Sequence, residues 1–117
     1  RDITRGGQAT LAGELTAASG KAMELMEDEI PVSEEIRELS GILGLDPLTM
    51  GNEGKMIIIL PEKEADRALA ILRSHPYGRQ ASLAGRITKG EGVHLITAYG
   101  GKRKLLPLRG EGLPRIC

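Results

Sequence analysis

The run KMIIIL, residues 55–60, limits the fold of this chain more than any other stretch. Met56, Ile57, Ile58, Ile59 and Leu60 are consecutive apolar residues without the alternation of a half-solvated strand. The run therefore predicts a central strand buried on both faces. Such a strand needs helices to cover it, and the sequence supplies one at once. EKEADRALAILRSHP reads as a helix with Ala65, Ala68, Leu69 and Leu72 facing inward, ended by Pro76.

The remaining periodicities agree with a layered fold. Residues 8–19 place Leu11, Leu15 and Ala18 at helical spacing, with Gly20 as the stop. Residues 21–26 predict a short strand. In PVSEEIRELSGILG, Ser33 stands at the N-cap and Glu34 and Glu35 in the first turn, where the helix dipole favours anions. Ile36, Leu39 and Leu43 share a face, and Gly44 lies beyond the end. From 81 to 98 two alternating segments flank KGEGV, a hairpin signal, and residues 102–106 add an edge strand. Helices and strands alternate first and strands cluster later, which predicts an α+β fold: one mixed β-sheet covered by helices.

Length and charge narrow the function. A chain of 117 residues forms one domain and buries roughly two-thirds of the surface its unfolded form exposes. Lys plus Arg and Asp plus Glu both number 16, and two Tyr are the only aromatic residues, which argues against nucleic-acid binding. No apolar run reaches membrane length, and one cysteine makes no internal disulfide, so the expected setting is the reducing cytoplasm, away from any membrane. The chain starts at Arg1, with signal-rich sequence at once, and is expected to be a fragment of a longer protein.

Several motifs are candidates for chemistry, each with an ordinary structural counterpart. TRGG, residues 4–7, opens a helix, where free backbone N–H groups and the dipole favour an anion; Asp2 or Thr4 would equally serve as a cap. GNEGK, residues 51–55, puts Glu53 between glycines just before the apolar run, a position also natural for a turn. It is not a phosphate-cradling Walker loop, which needs Gly where Thr49 stands and Ser or Thr where Met56 stands. GGKRK fails the same test at Ile96 and Arg103 and reads as a solvated loop. His75 and His94 are far apart and make no metal spacing, so no metal ligands are assigned.

Cys117 is the one cysteine, and it ends LRGEGLPRIC. Prenylation requires a cysteine four residues from the end and does not apply. Gly110 and Gly112 make this segment flexible and Pro114 stiffens its last residues, so it reads as a tether carrying a nucleophile.

RDITRGG, NEGK, HPYGR, AYGGKR and the terminal LPRIC together resemble the carboxy-terminal half of the HypE family of hydrogenase maturation proteins, in the PurM-like (aminoimidazole ribonucleotide synthetase) superfamily. The resemblance spans essentially the whole chain, and PRIC is its most specific part. It implies a PurM C-terminal-domain-like fold over residues 1–108 and a mobile tail over 109–117, with an amino-terminal ATP-binding half lying outside this chain. The implied activity is that of a carbamoyl dehydratase. A carbamoyl group is received on the cysteine from the carbamoyltransferase HypF, ATP drives its dehydration to thiocyanate, and the cyanide passes to iron on a HypC–HypD scaffold. ATP with Mg²⁺ would be held mainly by the amino-terminal half, which would also make the main homodimer contact, and this chain by itself would not turn ATP over.

By the same resemblance, Cys117 is the acceptor, Glu53 the general base that strips amide protons, and Asn52 its orienting neighbour. Asp2, Thr4, Arg5, Gly6 and Gly7 would face the phosphate side of the site. Two departures stand out: Ile3 replaces the family's usual Pro, and Gly112 its usual Gln. Two other classes fit the residues: another PurM-like enzyme acting on a free small molecule, or a non-catalytic interaction module whose Cys117 is redox-active.

Overall fold

The centre of the sheet is held by other residues than the apolar run. The computed structural model describes residues 1–107, and in it four strands lie in the order β2-β1-β3-β4. They are β1 (Ala22–Met26), β2 (Gly85–Thr88), β3 (Gly92–Ile96) and β4 (Lys102–Lys104). β1 pairs antiparallel with β2 and parallel with β3, and β4 closes the far edge antiparallel to β3. The fold is the expected α+β mixed sheet.

Residues 55–60 form none of these strands. Only Asp2 and Met56 make an isolated antiparallel bridge, and Met56, Ile58 and Ile59 are 65, 49 and 52% exposed. The expectation of a buried central strand is therefore corrected. The two inner positions go to β1 and β3, whose alternation puts Met23, Leu25, Val93 and Leu95 on one face, every one of them buried. Alternating segments of this kind need cover on one face only. Five apolar residues in a row need it on both, and the described residues lay no second layer over them.

The hairpin expected at KGEGV is corrected as well. β2 and β3 are both present, but β1 lies between them, so the turn at residues 89–91 passes over the start of β1. Gly90, with φ 115°, sits where a Cβ would stand 3.7 Å from the Ala22 side chain. Local turn chemistry specified the reversal, and the more apolar β1 took the central place.

Helix α1 (Gly7–Ser19) covers the buried face, with Ala9, Leu11 and Ala12 turned inward and Gly20 closing it in the left-handed conformation. The Thr16 hydroxyl, buried on the same helix, donates to the Gly13 carbonyl at 3.0 Å. Helix α2 (Glu34–Leu43) starts and stops at Ser33 and Gly44 as its sequence predicts, although the Ser33 hydroxyl caps no amide. Its stripe of Ile36, Leu39 and Leu43 is 44–59% exposed, and Ser40 is its one buried residue. Helix α3 (Ala65–Arg73) follows a 3₁₀ turn at Glu62–Glu64 and half-buries the face expected, Ala65, Ala68, Leu69 and Leu72. No described helix is long and apolar enough to cross a membrane.

Candidate functional site

The first residues of the chain run antiparallel to the segment that follows Glu53. Arg1 and Ile57 exchange both backbone hydrogen bonds, the amino group of Arg1 donating to the Ile57 carbonyl and the Ile57 amide to the Arg1 carbonyl, each at 2.8 Å. The Ile3 amide donates to the Lys55 carbonyl at 2.8 Å. Where this ladder ends, the Thr4 carbonyl accepts two amides, Gly7 N–H and Asn52 N–H, both at 3.2 Å. One carbonyl thus ties TRGG to the loop that carries Asn52 and Glu53, segments almost fifty residues apart in sequence.

A second contact fixes how the loop meets α1. A Cβ at Gly7 would stand 2.5 Å from the Met50 carbonyl oxygen and 2.6 Å from that of Leu48, and Gly7 has φ 66°. Only glycine allows that approach. The Leu48 carbonyl lies within the 3₁₀ turn Pro47–Thr49 and that of Met50 just after it, and the start of the turn is capped by Asp46 Oδ1 accepting from the Leu48 amide at 2.9 Å. Asp46 Oδ2 is held by Arg103 Nη2 of β4 at 2.8 Å. The GGKRK segment therefore contributes a strand and two ion pairs, the second between Lys102 and Glu24, rather than the solvated loop its charges suggest.

The sequence candidates among residues 1–107 each have a defined place. Asp2, Thr4 and Arg5 are exposed, Gly6 is half-buried and left-handed at φ 73°, and Gly7 is buried. Gly6 is the N-cap of α1 and no side chain caps that terminus, so Asp2 and Thr4 do not serve as caps. Asn52 is half-buried, while Glu53 is exposed in a bend before Gly54, which has φ 80°. Among the described residues the Glu53 carboxylate has no ion-pair or hydrogen-bond partner. Cys117 and the 109–117 tail lie outside the described residues.

Two neighbours escaped the sequence reading. A cleft beside Asn52 is lined by Ile3, Gln8, Val32, Leu48 and Lys55 among others. Gln8 is 91% buried, and Lys55 Nζ donates to the Pro31 carbonyl at 3.0 Å. The readable signal was Gln8 itself, a polar residue on the inward stripe that Leu11 and Leu15 continue. The histidines stay apart: His75 Nδ1 accepts from the Tyr77 amide at 3.2 Å, and His94 lies on β3. No group of three metal-ligating side chains occurs among the described residues. On the other face of the sheet, Lys102 donates to Glu24 Oε1 at 2.7 Å, and this bond with the lysine's charge holds the Glu24 carboxyl below its ordinary value.

The model of the AIR synthase related protein C-terminal domain matches residues 1–97. The carbamoyl dehydratase HypE of Azotobacter vinelandii is 46% identical over 119 residues, an alignment that takes in all of this chain and 35% of the relative. A crystal structure of Escherichia coli HypE superposes with a TM-score of 0.93 at 43% identity, covering 100% of this chain and 37% of that one. HypE in complex with ATP matches at TM-score 0.91 and 42% identity, with the same coverages. A HypE–HypF complex matches at 0.89 and 33%, covering 92% of this chain and 35% of that one. The chain thus spans about a third of the length of the relatives it matches.

Proposed function

The chain belongs to the AIR synthase related protein family, as its C-terminal domain, and from that premise we propose that it is the acceptor-bearing portion of a carbamoyl dehydratase of nickel–iron hydrogenase maturation. The observation that carries this reading is the Thr4 carbonyl accepting from both Gly7 and Asn52, which draws the glycine loop and the Glu53 loop into one wall. The 46% identity to a carbamoyl dehydratase supports the same assignment.

The chemistry asks three things of these residues. The Cys117 thiolate attacks the carbamoyl carbon presented by a HypF-type donor, so that a sulfur–carbon bond forms as the donor leaves. Conversion of the S-carbamoyl group to thiocyanate then breaks its carbon–oxygen bond and removes both N–H protons. Glu53, solvent-facing and without an ion-pair partner among the described residues, is the base for those protons, with Asn52 hydrogen-bonding the group to orient it. ATP, when bound, supplies the phosphoryl group that makes the carbamoyl oxygen a leaving group. The uncapped start of α1 with Arg5 beside it suits a phosphate as one wall of that site. The space beside Gly6 and Gly7 is taken by Thr10 and by the 48 and 50 carbonyls, so the rest of the nucleotide site, with Mg²⁺, belongs to the amino-terminal portion of the longer protein. That portion also supplies the homodimer contact, and the cyanide is passed to iron on a HypC–HypD partner in the cytoplasm.

The test uses the longer protein with carbamoyl donor and ATP, followed by mass spectrometry of the carboxy-terminal peptide. The peptide gains a carbamoyl group and then loses one water. Cys117→Ala abolishes both changes. Glu53→Gln keeps the first and slows the second by about 10²–10⁴-fold. Normal dehydration in the glutamine variant would remove Glu53 from the chemistry, and hydrogenase maturation by the alanine variant would remove Cys117.

A further inference from the structure

The ladder between the first residues and the segment after Glu53 stops at Arg1, while its partner strand continues. Arg1 opposes Ile57, Asp2 opposes Met56, and Ile3 is bonded to Lys55. Beyond Ile57 come Ile58, Ile59 and Leu60, before Pro61. Among the described residues no backbone hydrogen bond is made by the amide or the carbonyl of any of the three. Ile58 and Ile59 are both about half exposed. β-branched and apolar residues with unpaired backbone groups are an open strand edge, a template that proteins ordinarily pair or cover.

We propose that residues 58–60 are the docking edge for the polypeptide immediately upstream of Arg1 in the longer protein, which continues the same antiparallel ladder. The proposal rests on the reading above that this domain is one part of that protein. The matched relatives, about three times as long as this chain, and the C-terminal position of the matched family domain support it. The register follows without further choice. In an antiparallel ladder hydrogen-bonded and non-hydrogen-bonded pairs alternate. Arg1 and Ile57 exchange both bonds, so the residue before Arg1 faces Ile58 in a non-bonded pair. The residue before that exchanges both bonds with Ile59. The Ile59 amide therefore points at the incoming strand, and the amides of Ile58 and Leu60 point away from it.

This edge begins four residues after Gly54 and is continuous with the ladder that leads to the Thr4 carbonyl. Pairing along it thus fixes the Glu53 loop from the amino-terminal side, so the same strand that joins the two parts of the longer protein sets where the proposed base stands. Ile58, Ile59 and Leu60, whose backbone groups have no partner among the described residues, acquire one.

Amide hydrogen exchange, read residue by residue in the longer protein and in this 117-residue chain, tests the register. The Ile59 amide exchanges at least tenfold more slowly in the longer protein, and the change at Ile58 and Leu60 is smaller. In the longer protein Ile59→Pro removes the donor and lowers the melting temperature more than Ile58→Pro, which leaves it in place. Equal exchange at Ile59 in both proteins overturns the proposal, as does protection of Ile58 and Leu60 with Ile59 unprotected. Protection of Ile59 in the short chain that rises with its concentration makes a second copy the occupant, and that also overturns it. Carbamoylation of Cys117, measured in the same preparations, reports on the functional reading independently of all three outcomes.

Discussion

Gly7 and Gly20 have almost the same backbone angle, φ 66° and 65°, in very different surroundings. A methyl at Gly20 meets nothing within 4 Å, so Gly20→Ala pays only the left-handed conformation, about 1 kcal/mol. At Gly7 the methyl would also stand 2.5 Å from the Met50 carbonyl, and backbone does not yield as a side-chain tip does. Gly7→Ala is expected to cost about 3 kcal/mol or more in urea unfolding, and equal losses at the two positions would mean that the helix start gives way freely. Glu24 carries a pH prediction. Its bond to Lys102, then that lysine's charge, depress the carboxyl below its ordinary 4.5, against a smaller upward push from burial. A depressed carboxyl stabilises the fold above its unfolded value, and the contribution is lost as pH falls through the folded one. Below pH 4.5 the melting temperature should therefore fall more steeply in the native chain than in Lys102→Met, and parallel acid limbs would show that the pair contributes nothing.

The elements separate into those that build the core and those that wait for cover. Leu95 is fully buried on β3, and Leu95→Ala should cost about 2–5 kcal/mol. Leu39 on α2 is 53% exposed, so Leu39→Gln should stay within about 0.5 kcal/mol in this chain, although both leucines look equally core-like in sequence. A large loss at Leu39 would mean that α2 is held far more tightly than its exposure indicates. The same distinction explains what the sequence made legible. Glycine and serine punctuation located α1 and α2 to within a residue, because φ > 0 stops and N-cap positions are local properties. β1 as a short strand and the alternation of β3 were legible for the same reason. The order of strands was not: KGEGV encodes a reversal between two strands, and nothing local says that a third will lie between them. The run at 56–60 misled because hydrophobicity reports that a segment seeks cover, not which part of the protein provides it.

At the scale of the whole molecule, the candidate site was legible as two separate motifs, and the Thr4 carbonyl that joins them was not, since any residue type supplies a carbonyl. The remaining question is one of reach. Pro107, the last described residue, lies 4.0 Å from where a Cβ on Gly13 would stand. From there to the start of α1 is six helical residues, about 9 Å. Gly7 touches the Met50 carbonyl, and the three further residues to Glu53 add at most about 10 Å. Cys117 follows Pro107 by ten residues, whose extended length is about 33 Å against the roughly 20 Å required. Deleting Arg109 and Gly110 leaves about 27 Å, enough for the thiol to reach Glu53. Deleting residues 109–113 leaves about 17 Å, shorter than this path. In the longer protein, water loss from carbamoylated Cys117 should survive the two-residue deletion and fail with the five-residue one, while carbamoylation itself persists in the former. Because LPRIC is shortened only in the second variant, a third, with Gly110, Glu111 and Gly112 each doubled in place, keeps the terminal sequence and adds length. Its dehydration should also persist. Loss of dehydration on lengthening, or its survival at five residues deleted, would show that something other than tether length brings the sulfur to the carboxylate.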